Sequence, residues 1–469
     1  MSPPRRPDVI VVVLDTARSF DVSAVWDEGP QTTPVLDRLA AECLVFPQAT
    51  APSPWTLPSH ASLFTGLLPS RHGAHEVSMR LAEDGPPTLA ELLGAAGYET
   101  VGVCCNDLVS PATGLTRGYA RFVEERDALP GGIDHTLGER MVGRVAALRR
   151  RADQRHRRER RALDHGGARA TALVERVLRS VPRERPLHLF VNYLETHLPY
   201  SPADEHALPY LPAGAGLPEA RAVNQLPLDH VTGVARHGDR DWELLRGLYR
   251  GAMHYVDSLV GRLLGMLDAA GRLDGALLVV TSDHGENIGD HGLMDHQCSL
   301  NDTVLRVPLL VRLPGASQRG RRDDLAQLVD VLPTVGEVTG VATPPVQGES
   351  LLRPLQREHA IGEYLAPHVI LSELKRTRPD IDVTPWDRGL RSIRTATRKY
   401  ISATDGRNEL YELDADPYER NNLYGGHPDE LRLSRALRRW EQSNDAVALA
   451  GQSVDAAITE RLSALGYID

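Results

Sequence analysis

The chain has 469 residues, 41% of them hydrophobic, and a formal net charge of −10 at pH 7. This length and apolar content predict one large domain with a smaller unit appended to it. Proteins that bind long polyanions usually carry a positive surface, so the acidic balance disfavours nucleic acid as a partner. No stretch reaches the roughly 20 apolar residues that a membrane span needs, which disfavours a membrane partner as well.

Cysteine usage and the N-terminal segment bear on the compartment. The four cysteines, at positions 43, 104, 105 and 298, have neither the paired spacing of a zinc site nor the density of a disulfide framework. The apolar run from Val9 to Leu14 is too short for the core of a signal peptide and is followed by an acid. These features predict a cytoplasmic protein.

Four short apolar runs predict buried parallel strands, because they are rich in β-branched residues and most are separated by stretches with helical periodicity. In chain order they are DVIVVVLD (8–15), LHLFVNYLETH (187–197), ALLVVTSDHGE (276–286) and RVPLLVRLPG (306–315). The helical candidates include PTLAELLGAAG (87–97), ATALVERVLRSV (170–181) and RGAMHYVDSLVGRLLGMLDAAG (250–271). Strands that alternate with helices predict an α/β open sheet.

The texture of the sequence changes after about residue 350. Short alternating stretches, SIRTATRKYISAT and NELYELDAD, precede a helical tail, so we expect domains at 1–350 and 351–469, the second a small α+β unit over one edge of the sheet. The basic segment 149–170 belongs to an expected helical insertion at about 136–170. Such a run is usually a solvated helix face, and we assign it no chemical role.

Three of the predicted strands end in polar residues that a buried strand would not select: Asp15, then Glu195-Thr196-His197, then Asp283-His284. Ligands of open α/β sheets bind beyond the carboxyl ends of the strands, so we expect these groups to converge. Carboxylates gathered in one crevice need a cation. Asp15, Asp283 and His284 offer two hard oxygens and a borderline nitrogen, which favours one Mn²⁺ or Zn²⁺ over Ca²⁺ or Mg²⁺. The alternative is that each acid only caps the following helix.

Thr56 precedes the predicted helix PSHASLFTGL, in which Pro58 and Ser59 suit a first turn. Free N–H groups and the helix dipole favour negative charge at this end. The hydroxyl is therefore either an N-cap or, next to a metal, an activated nucleophile. The strand-end acids favour the second interpretation, in which the helix N-terminus also stabilises the anion that forms.

The stretch TLPSHASLFTG (56–66) resembles the signature of the sulfatase family, within the alkaline phosphatase superfamily: Cys or Ser, any residue, Pro, Ser, Arg and a short run ending in Thr-Gly. Further segments resemble the same family in the same order: VVVLDTAR, LPSRHG, NYLETHLPYSP, TSDHGENIGDHG, SLNDTVLRVPLLVRLPG and NELYELDADPYERNNL. The likeness covers nearly the whole chain, with its clearest gap at 130–170. It implies an alkaline-phosphatase-like fold with a central mixed, mostly parallel sheet sandwiched by helices and a smaller C-terminal α+β subdomain.

The resemblance also implies roles by position. Thr56 stands where the family has its nucleophile, which contacts the metal, and the metal-ligand positions are occupied by Asp15, Asp283 and His284. His197 falls in the segment where the family has a His near the leaving group of the substrate. His296 replaces a Lys that touches the anion in sulfatases.

Departures from the family pattern are equally informative. Sulfatases convert Cys or Ser into formylglycine, whose hydrate releases sulfate by elimination, and threonine cannot form that aldehyde. Cys104 to Asp107 stand where sulfatases usually have Gly-Lys-Trp-His, which leaves Asn106 as the polar contact. Thr16 and His60 replace an Asp and an Arg of the pattern. We expect Asn106 and His60 to steady the substrate anion or the alkoxide, and no formylglycine to be present.

Relatives with Thr at this position imply phosphoryl chemistry. The expected activity is that of a metal-dependent phosphoesterase or phosphotransferase, which acts on a small anionic phosphate or phosphonate ester through a covalent phosphothreonine. Thr56 attacks in line, and His197 or His296 protonates the leaving alcohol; water or an acceptor alcohol then removes the group. Two alternatives stay open: a sulfate or sulfamate ester hydrolase or transferase without formylglycine, and a non-catalytic binding protein. The sequence does not indicate an oligomeric state.

Overall fold

An eight-stranded sheet forms the centre of the computed structural model, which describes residues 6–124, 164–444, 446–447 and 456–465. Its inner strands are rich in Val, Ile and Leu, and every residue of the strands at Val9–Leu14 and Leu277–Thr281 is buried. Burial of successive residues, which point to opposite faces, means that both faces of the sheet are covered. The mixed, mostly parallel sheet with helices confirms the predicted fold class.

The strands are, in chain order, β1 (Val9–Leu14), β2 (Leu44–Val45), β3 (Glu99–Cys104), β4 (Arg121–Glu124), β5 (Leu187–Tyr193), β6 (Leu277–Thr281), β7 (Asn287–Ile288), β8 (Met294–Asp295), β9 (Leu309–Arg312), β10 (Gly320–Arg321), β11 (Ala360–Tyr364), β12 (Leu390–Arg394), β13 (Arg398–Ala403) and β14 (Glu409–Glu412). The main sheet has the spatial order β10-β2-β9-β6-β1-β5-β3-β4. A separate hairpin pairs β7 with β8.

One strand runs opposite to its predicted direction. The run at 306–315 forms β9, which pairs antiparallel with both β6 and β2, so its prediction as a parallel strand is wrong. A parallel partner requires a crossover that returns the chain to the starting edge of the sheet. The chain between β6 and β9 instead forms the short β7–β8 hairpin and the four-residue helix at Asp302–Leu305, and neither spans the sheet.

The helices are α1 (Pro34–Ala40), α2 (Thr56–Thr65), α3 (Pro69–His72), α4 (Leu89–Ala95), α5 (Gly167–Ser180), α6 (Asp204–Ala207), α7 (Leu217–Arg221), α8 (Pro227–Val231), α9 (Asp239–Ala269), α10 (Asp302–Leu305), α11 (Val331–Thr339), α12 (His368–Thr377), α13 (Asp429–Ser443) and α14 (Ala456–Leu465). The helix predicted at 250–271 covers only the second part of α9. Acidic residues in the first turn of α9, Asp239 and Asp241, complement the helix dipole and mark the earlier start.

The C-terminal strands β11 to β14 form a separate antiparallel sheet against which α13 packs, as the predicted α+β subdomain requires. Lys399 on β13 reaches into the main domain, where its Nζ lies 2.7 Å from Asp302 Oδ1. The second hydrophobic core includes Leu68 and Val329 from the first part of the chain. Because the two parts share a core, a domain boundary between residues 350 and 351 stays a prediction from the sequence.

Most of the basic insertion expected at about 136–170 lies outside the described residues. The described part begins at residue 164, and α5 starts at Gly167. Among the described helices, none combines the length and the apolar character that crossing a bilayer requires.

Candidate active site

The carboxyl ends of two neighbouring strands hold the centre of the site. In the parallel pair β1 and β6, Val13 lies opposite Thr281. Asp15 and Asp283 each come two residues after this pair, so they lie at the same edge of the sheet. His284 comes next in the chain. Asp15, Asp283 and His284 are completely buried, and each offers a ligand atom within 4.8 Å of the others.

The donor atoms of this group are those that a cation would need. Asp15 Oδ1, Asp283 Oδ2 and His284 Nε2 are buried and have no hydrogen-bond partner. Because His284 Nδ1 donates to the Gly285 carbonyl oxygen (2.9 Å), the lone pair of a neutral ring lies on Nε2. The residues therefore fit a divalent cation bound through two carboxylate oxygens and one imidazole nitrogen.

The electrostatics of these residues also favour a bound cation. Burial raises the pKa of Asp15 above its usual value, and the neighbouring Asp283 carboxylate raises it further. Burial lowers the pKa of His284 well below its usual value, and His296 adds to the effect. A divalent cation would reverse the penalty on the carboxylates and would bind the neutral imidazole.

The second oxygen of each carboxylate is held by the protein. Asp15 Oδ2 accepts from Asn106 Nδ2 (2.8 Å) and Asn192 Nδ2 (2.9 Å). Asp283 Oδ1 accepts from the backbone N–H groups of Thr16 (3.2 Å) and His284 (3.0 Å). These contacts orient the other oxygens toward the same point. Asn192 is absent from the predicted site; its only sequence signal is that it is a polar residue inside an apolar strand.

Thr56 is the first residue of α2, and Trp55 occupies the N-cap position. The Thr56 hydroxyl is therefore not the N-cap, and Thr56 Oγ1 accepts from Asn106 Nδ2 at 3.2 Å. The same amide thus contacts Thr56 and the metal-ligand candidate Asp15. Ser59, one turn along the helix, donates its hydroxyl to the Asp283 carbonyl oxygen (2.5 Å), which fixes α2 against the end of β6.

The three histidines proposed from the sequence lie around this group. His60 Nδ1 donates to the Thr56 carbonyl oxygen (3.0 Å) and lies 3.5 Å from Asp283 Oδ2, so His60 contacts a ligand candidate from inside α2. The His296 ring centroid lies 4.3 Å from that of His284 and 5.4 Å from that of His197. His197 Nδ1 donates to the Leu198 carbonyl oxygen (2.7 Å).

Residues 7–341 match the family model described as Sulfatase, and residues 289–442 match the one described as N-sulphoglucosamine sulphohydrolase, C-terminal. The chain belongs to the sulfatase family. Its relatives are hydrolases, and it is an enzyme of this family, whose members generally use a metal ion.

Individual relatives of this sulfatase-family chain carry different names. It is 26% identical to the multifunctional alkaline phosphatase superfamily protein PehA of Trinickia caryophylli, over 90% of this chain and 91% of the relative. It is 25% identical to the uncharacterized sulfatase YidJ of Escherichia coli K12, over 92% and 84%. The structure of the phosphonate monoester hydrolase of Agrobacterium radiobacter superimposes with a TM-score of 0.70 at 22% identity and covers 93% of this chain and 95% of its own. The names of these relatives divide between an alkaline phosphatase superfamily protein, a sulfatase and a phosphonate monoester hydrolase.

One strand-end residue of this sulfatase-family chain does not join the site. The Glu195 carboxylate accepts from the backbone N–H groups of Gly167 (2.9 Å) and Leu194 (3.1 Å), so it caps the start of α5. Burial and the neighbouring Asp164 raise the pKa of Glu195 well above its usual value. The expectation that all three polar strand ends converge is therefore wrong for Glu195.

A second group of titratable side chains lies next to the first, and of its three members the sequence prediction included His296 alone. Because Asn287 pairs with Asp295 in the β7–β8 hairpin, the residues on either side, Glu286 and His296, are brought face to face. Glu286, Asp295 and His296 offer ligand atoms within 4.8 Å of one another. The available signal was an acid two residues after His284 and another directly before His296.

Proposed function

We propose that this protein is a metal-dependent phosphoesterase or phosphotransferase that acts on a phosphate or phosphonate ester, with Thr56 as the nucleophile and a covalent phosphothreonine as the intermediate. The single observation that carries the proposal is the position of Thr56. Its hydroxyl lies at the N-terminus of α2 and shares the Asn106 amide with Asp15, whose other oxygen belongs to the unpartnered donor set.

The proposed metal is Mn²⁺ or Zn²⁺, held by Asp15, Asp283 and His284 together with the Thr56 hydroxyl. A mixed set of carboxylate oxygens and an imidazole nitrogen suits these ions better than Ca²⁺ or Mg²⁺, which prefer oxygen ligands. Such an ion lowers the pKa of a hydroxyl and neutralises charge on a transferring phosphoryl group. No formylglycine is proposed, because the side chain of threonine cannot be converted into an aldehyde.

In the first step, a bond forms between Thr56 Oγ1 and phosphorus while the bond from phosphorus to the leaving oxygen breaks. His197 donates the proton that the leaving alcohol requires, with His296 as the alternative donor. The backbone N–H groups at the start of α2 face developing negative charge. In the second step, water or an acceptor alcohol attacks phosphorus and its proton passes back to His197, while the pair of electrons in the bond to Thr56 Oγ1 returns to that oxygen and restores the alkoxide that attacks in the first step.

Asn106 and His60 take supporting roles in this proposal. The Asn106 amide holds Thr56 Oγ1 and Asp15 Oδ2 in a fixed relation, and it contacts the anion if Thr56 carries the phosphoryl group. His60 lies beside Asp283 and bonds to the Thr56 carbonyl oxygen, so it positions both groups. In this role His60 acts through Thr56 and Asp283 and does not contact the substrate directly.

The chemistry of threonine favours phosphorus over sulfur. A phosphothreonine is resolved by a second in-line displacement, whereas a sulfothreonine has no elimination route comparable to that of hydrated formylglycine. The name of PehA, a multifunctional alkaline phosphatase superfamily protein, and the fold shared with a phosphonate monoester hydrolase support this preference.

A sulfate or sulfamate ester hydrolase or transferase is the second candidate. The observation that favours it is the match of residues 289–442 to the C-terminal model of N-sulphoglucosamine sulphohydrolase. That segment contains His296 and the strands β11 to β14 of the C-terminal subdomain. The two candidates predict different turnover on the same set of aryl esters.

The location proposed for the protein is the cytoplasm. All four cysteines are free and buried, which is typical of proteins kept in a reducing compartment. Cell fractionation with an antibody to the natural protein tests this directly.

The test of function is a panel of aryl phosphate monoesters, diesters, phosphonate esters and sulfates, assayed with Mn²⁺ or Zn²⁺. Thr56→Val keeps the shape of the side chain and removes the hydroxyl, so it should lower kcat by at least about 1,000-fold. Thr65→Ala is the matched control, because Thr65 lies on the same helix and its hydroxyl donates to the Ala61 carbonyl oxygen of that helix. The control should retain activity.

The covalent intermediate is tested by rapid acid quenching and peptide mass spectrometry. The expected result is one phosphoryl or phosphonyl group on Thr56, identified by phosphorus NMR or accurate mass. Turnover of sulfates with no turnover of phosphorus esters would establish the second candidate. Activity of Thr56→Val equal to that of the unaltered protein would remove Thr56 from the mechanism.

A further inference from the structure

The last described helix, α14, carries a buried cation on the face that packs against the main domain. Ile458, Leu462 and Leu465 of this helix belong to the main hydrophobic core. Arg461 lies between them at helical spacing, on the same face, and is 8% exposed. A guanidinium is costly to bury unless it is paired and hydrogen-bonded, so the partners of Arg461 determine how this helix is held.

Arg461 connects the edge strand β4 with the loop that follows β3. Its Nη1 donates to Glu124 Oε2 (2.6 Å) and its Nη2 to Glu124 Oε1 (3.2 Å), which is a bidentate ion pair. Nη1 has two N–H groups, and it also donates to the Asp107 carbonyl oxygen (2.7 Å). Glu124 ends β4 opposite Cys104, the last residue of the parallel strand β3. The guanidinium therefore lies at the carboxyl end of the sheet, the end at which the candidate site is built.

The carbonyl group that Arg461 holds belongs to the peptide group between Asp107 and Leu108. The N–H of the same peptide group, on Leu108, donates to Asn106 Oδ1 (2.9 Å). Because a peptide group is planar, a contact that fixes its oxygen also fixes the direction of its N–H. A charged donor on the oxygen further polarises the group and strengthens the hydrogen bond that its N–H makes. Arg461 thus acts on the Asn106 side chain through a single peptide group.

The orientation of the Asn106 amide is decisive because its two ends have opposite properties. Oδ1 only accepts hydrogen bonds, and Nδ2 only donates them. With Oδ1 held by the Leu108 N–H, Nδ2 is directed at Thr56 Oγ1 (3.2 Å) and Asp15 Oδ2 (2.8 Å). A reversed amide would place an acceptor against the Asp15 carboxylate and would leave that oxygen without one of its donors.

We propose that Arg461 is a positioning residue of the active site, which keeps the Asn106 amide directed at Thr56 and Asp15 by holding the peptide group between Asp107 and Leu108. This inference rests on the proposed function, in which Asn106 orients both the nucleophile and a metal ligand. It makes the C-terminal helix α14 a part of the catalytic arrangement, although Arg461 and Asp107 are 354 positions apart in the sequence.

The first test compares kcat at saturating metal for variants of the full chain, on an aryl ester that the unaltered protein turns over. Arg461→Met keeps the length of the side chain and removes its donors, so it should lower kcat by about 10–100-fold. In an Asn106→Ala background the same substitution should change kcat by less than about 2-fold, because the group through which Arg461 acts is absent. Glu460→Gln, at an exposed position of the same helix, is the control and should keep normal kcat.

Glu124→Gln separates this role from a general effect on stability. It weakens the ion pair at β4 but leaves the contact between Arg461 and the Asp107 carbonyl oxygen. It should therefore lower the midpoint of urea unfolding and change kcat by less than about 2-fold. Equal losses of kcat in Glu124→Gln and Arg461→Met would show that Arg461 only supports the fold, and would overturn the inference. A loss of kcat on Arg461→Met that is as large in the Asn106→Ala background would overturn it too.

Hydrogen exchange followed by mass spectrometry tests the contact without any activity. Arg461→Met should speed exchange of the Leu108 amide by at least about 10-fold and leave the exchange of β1 unchanged. Arg461→Lys retains the charge beside Glu124 and should recover part of both losses, and it serves as the test variant if Arg461→Met does not fold.

Two further outcomes distinguish this inference from the proposed function. Unchanged exchange at Leu108, or normal kcat in the Arg461 variants, would overturn the positioning role and leave the proposed function intact. No turnover of any ester by the unaltered protein would instead contradict the proposed function, and this inference with it.

Discussion

The side-chain nitrogen of Asn106 lies 3.2 Å from Thr56 Oγ1, and the same atom donates to Asp15 Oδ2 at 2.8 Å. One amide therefore orients both the hydroxyl that we propose as the nucleophile and a carboxylate that we propose as a metal ligand. The side chain of Asn192 donates to the same carboxylate oxygen, and among the described residues it has no hydrogen bond to Thr56. The pair Asn106 and Asn192 separates the two roles experimentally.

Asn192→Ala should weaken metal affinity by roughly 10–100-fold and leave kcat at saturating metal close to normal, because only the orientation of Asp15 is relaxed. Asn106→Ala should weaken the metal to a similar degree and also lower kcat at saturating metal, because Thr56 loses its contact as well. Metal titrations of activity measure both quantities. Equal values of kcat for the two variants at saturating metal would contradict the role given to Asn106.

The only two lysines of the chain provide a matched pair for stability. Lys399 is completely buried between Asp302 (2.7 Å) and Glu419 (3.2 Å), whereas Lys375 is exposed on α12. Lys399→Met leaves the buried Glu419 carboxylate without this cation and leaves Asp302 with Arg394 (3.1 Å), and it should lower the free energy of unfolding by about 3–5 kcal/mol. Lys375→Met should change it by less than about 0.5 kcal/mol. Urea unfolding followed by circular dichroism tests this, and a stable Lys399→Met protein would refute it.

Gly285 should tolerate no side chain, because its backbone packs against α10, the short helix at Asp302–Leu305. A Cβ atom there would lie 2.3 Å from the Thr303 carbonyl oxygen, which is backbone and cannot rotate away. Gly285→Ala should therefore displace residues 283 to 286, destabilise the protein by roughly 1–3 kcal/mol and weaken metal binding. Gly275→Ala, just before the start of β6, adds a Cβ that meets nothing within 4 Å and serves as the control. Thermal unfolding with and without Mn²⁺ measures both effects.

Buried neutral histidines should make the protein less stable at acid pH. Burial lowers the pKa of His72 to about 3, and the ring accepts from the Ala74 backbone N–H and contacts Ser62 Oγ, both at 3.0 Å. The pKa of an unfolded histidine is about 6.5. Between these two values the unfolded chain binds a proton that the folded chain does not, so stability from His72 is present above pH 6.5 and falls as the pH decreases.

Between pH 7 and pH 5, the titration of His72 alone should lower the free energy of unfolding by about 2 kcal/mol. Urea unfolding of the unaltered protein and of His72→Gln at both pH values measures this contribution. The other titrating groups are present in both proteins and cancel in the comparison. The variant should lose about 2 kcal/mol less than the unaltered protein over this interval. An identical pH response of the two proteins would show that His72 titrates normally in the folded state.

Local pattern predicted the parts of the site that lie directly after strands. Asp15 and Asp283-His284 follow apolar runs of strand length, and parallel neighbours in an open sheet place their carboxyl ends at one edge. The position of Thr56 followed from helix-start chemistry in the same way. Glu195 shows the limit of this reasoning, because a strand-end acid can cap a helix from another part of the chain, and its sequence context is the same in both cases.

The amino-acid sequence by itself determined the α/β class, the family resemblance and the candidate residues Asp15, Thr56, Asp283 and His284, since strand length, hydrophobic periodicity and motif order are local properties. Only the tertiary structure decided that β9 runs antiparallel, that Asn192 and Asn106 share one carboxylate oxygen, and that Glu286 meets Asp295 and His296. These relations depend on strand order and hairpin register. Both are selected by the burial of side chains that are distant in sequence, and no local pattern encodes that selection.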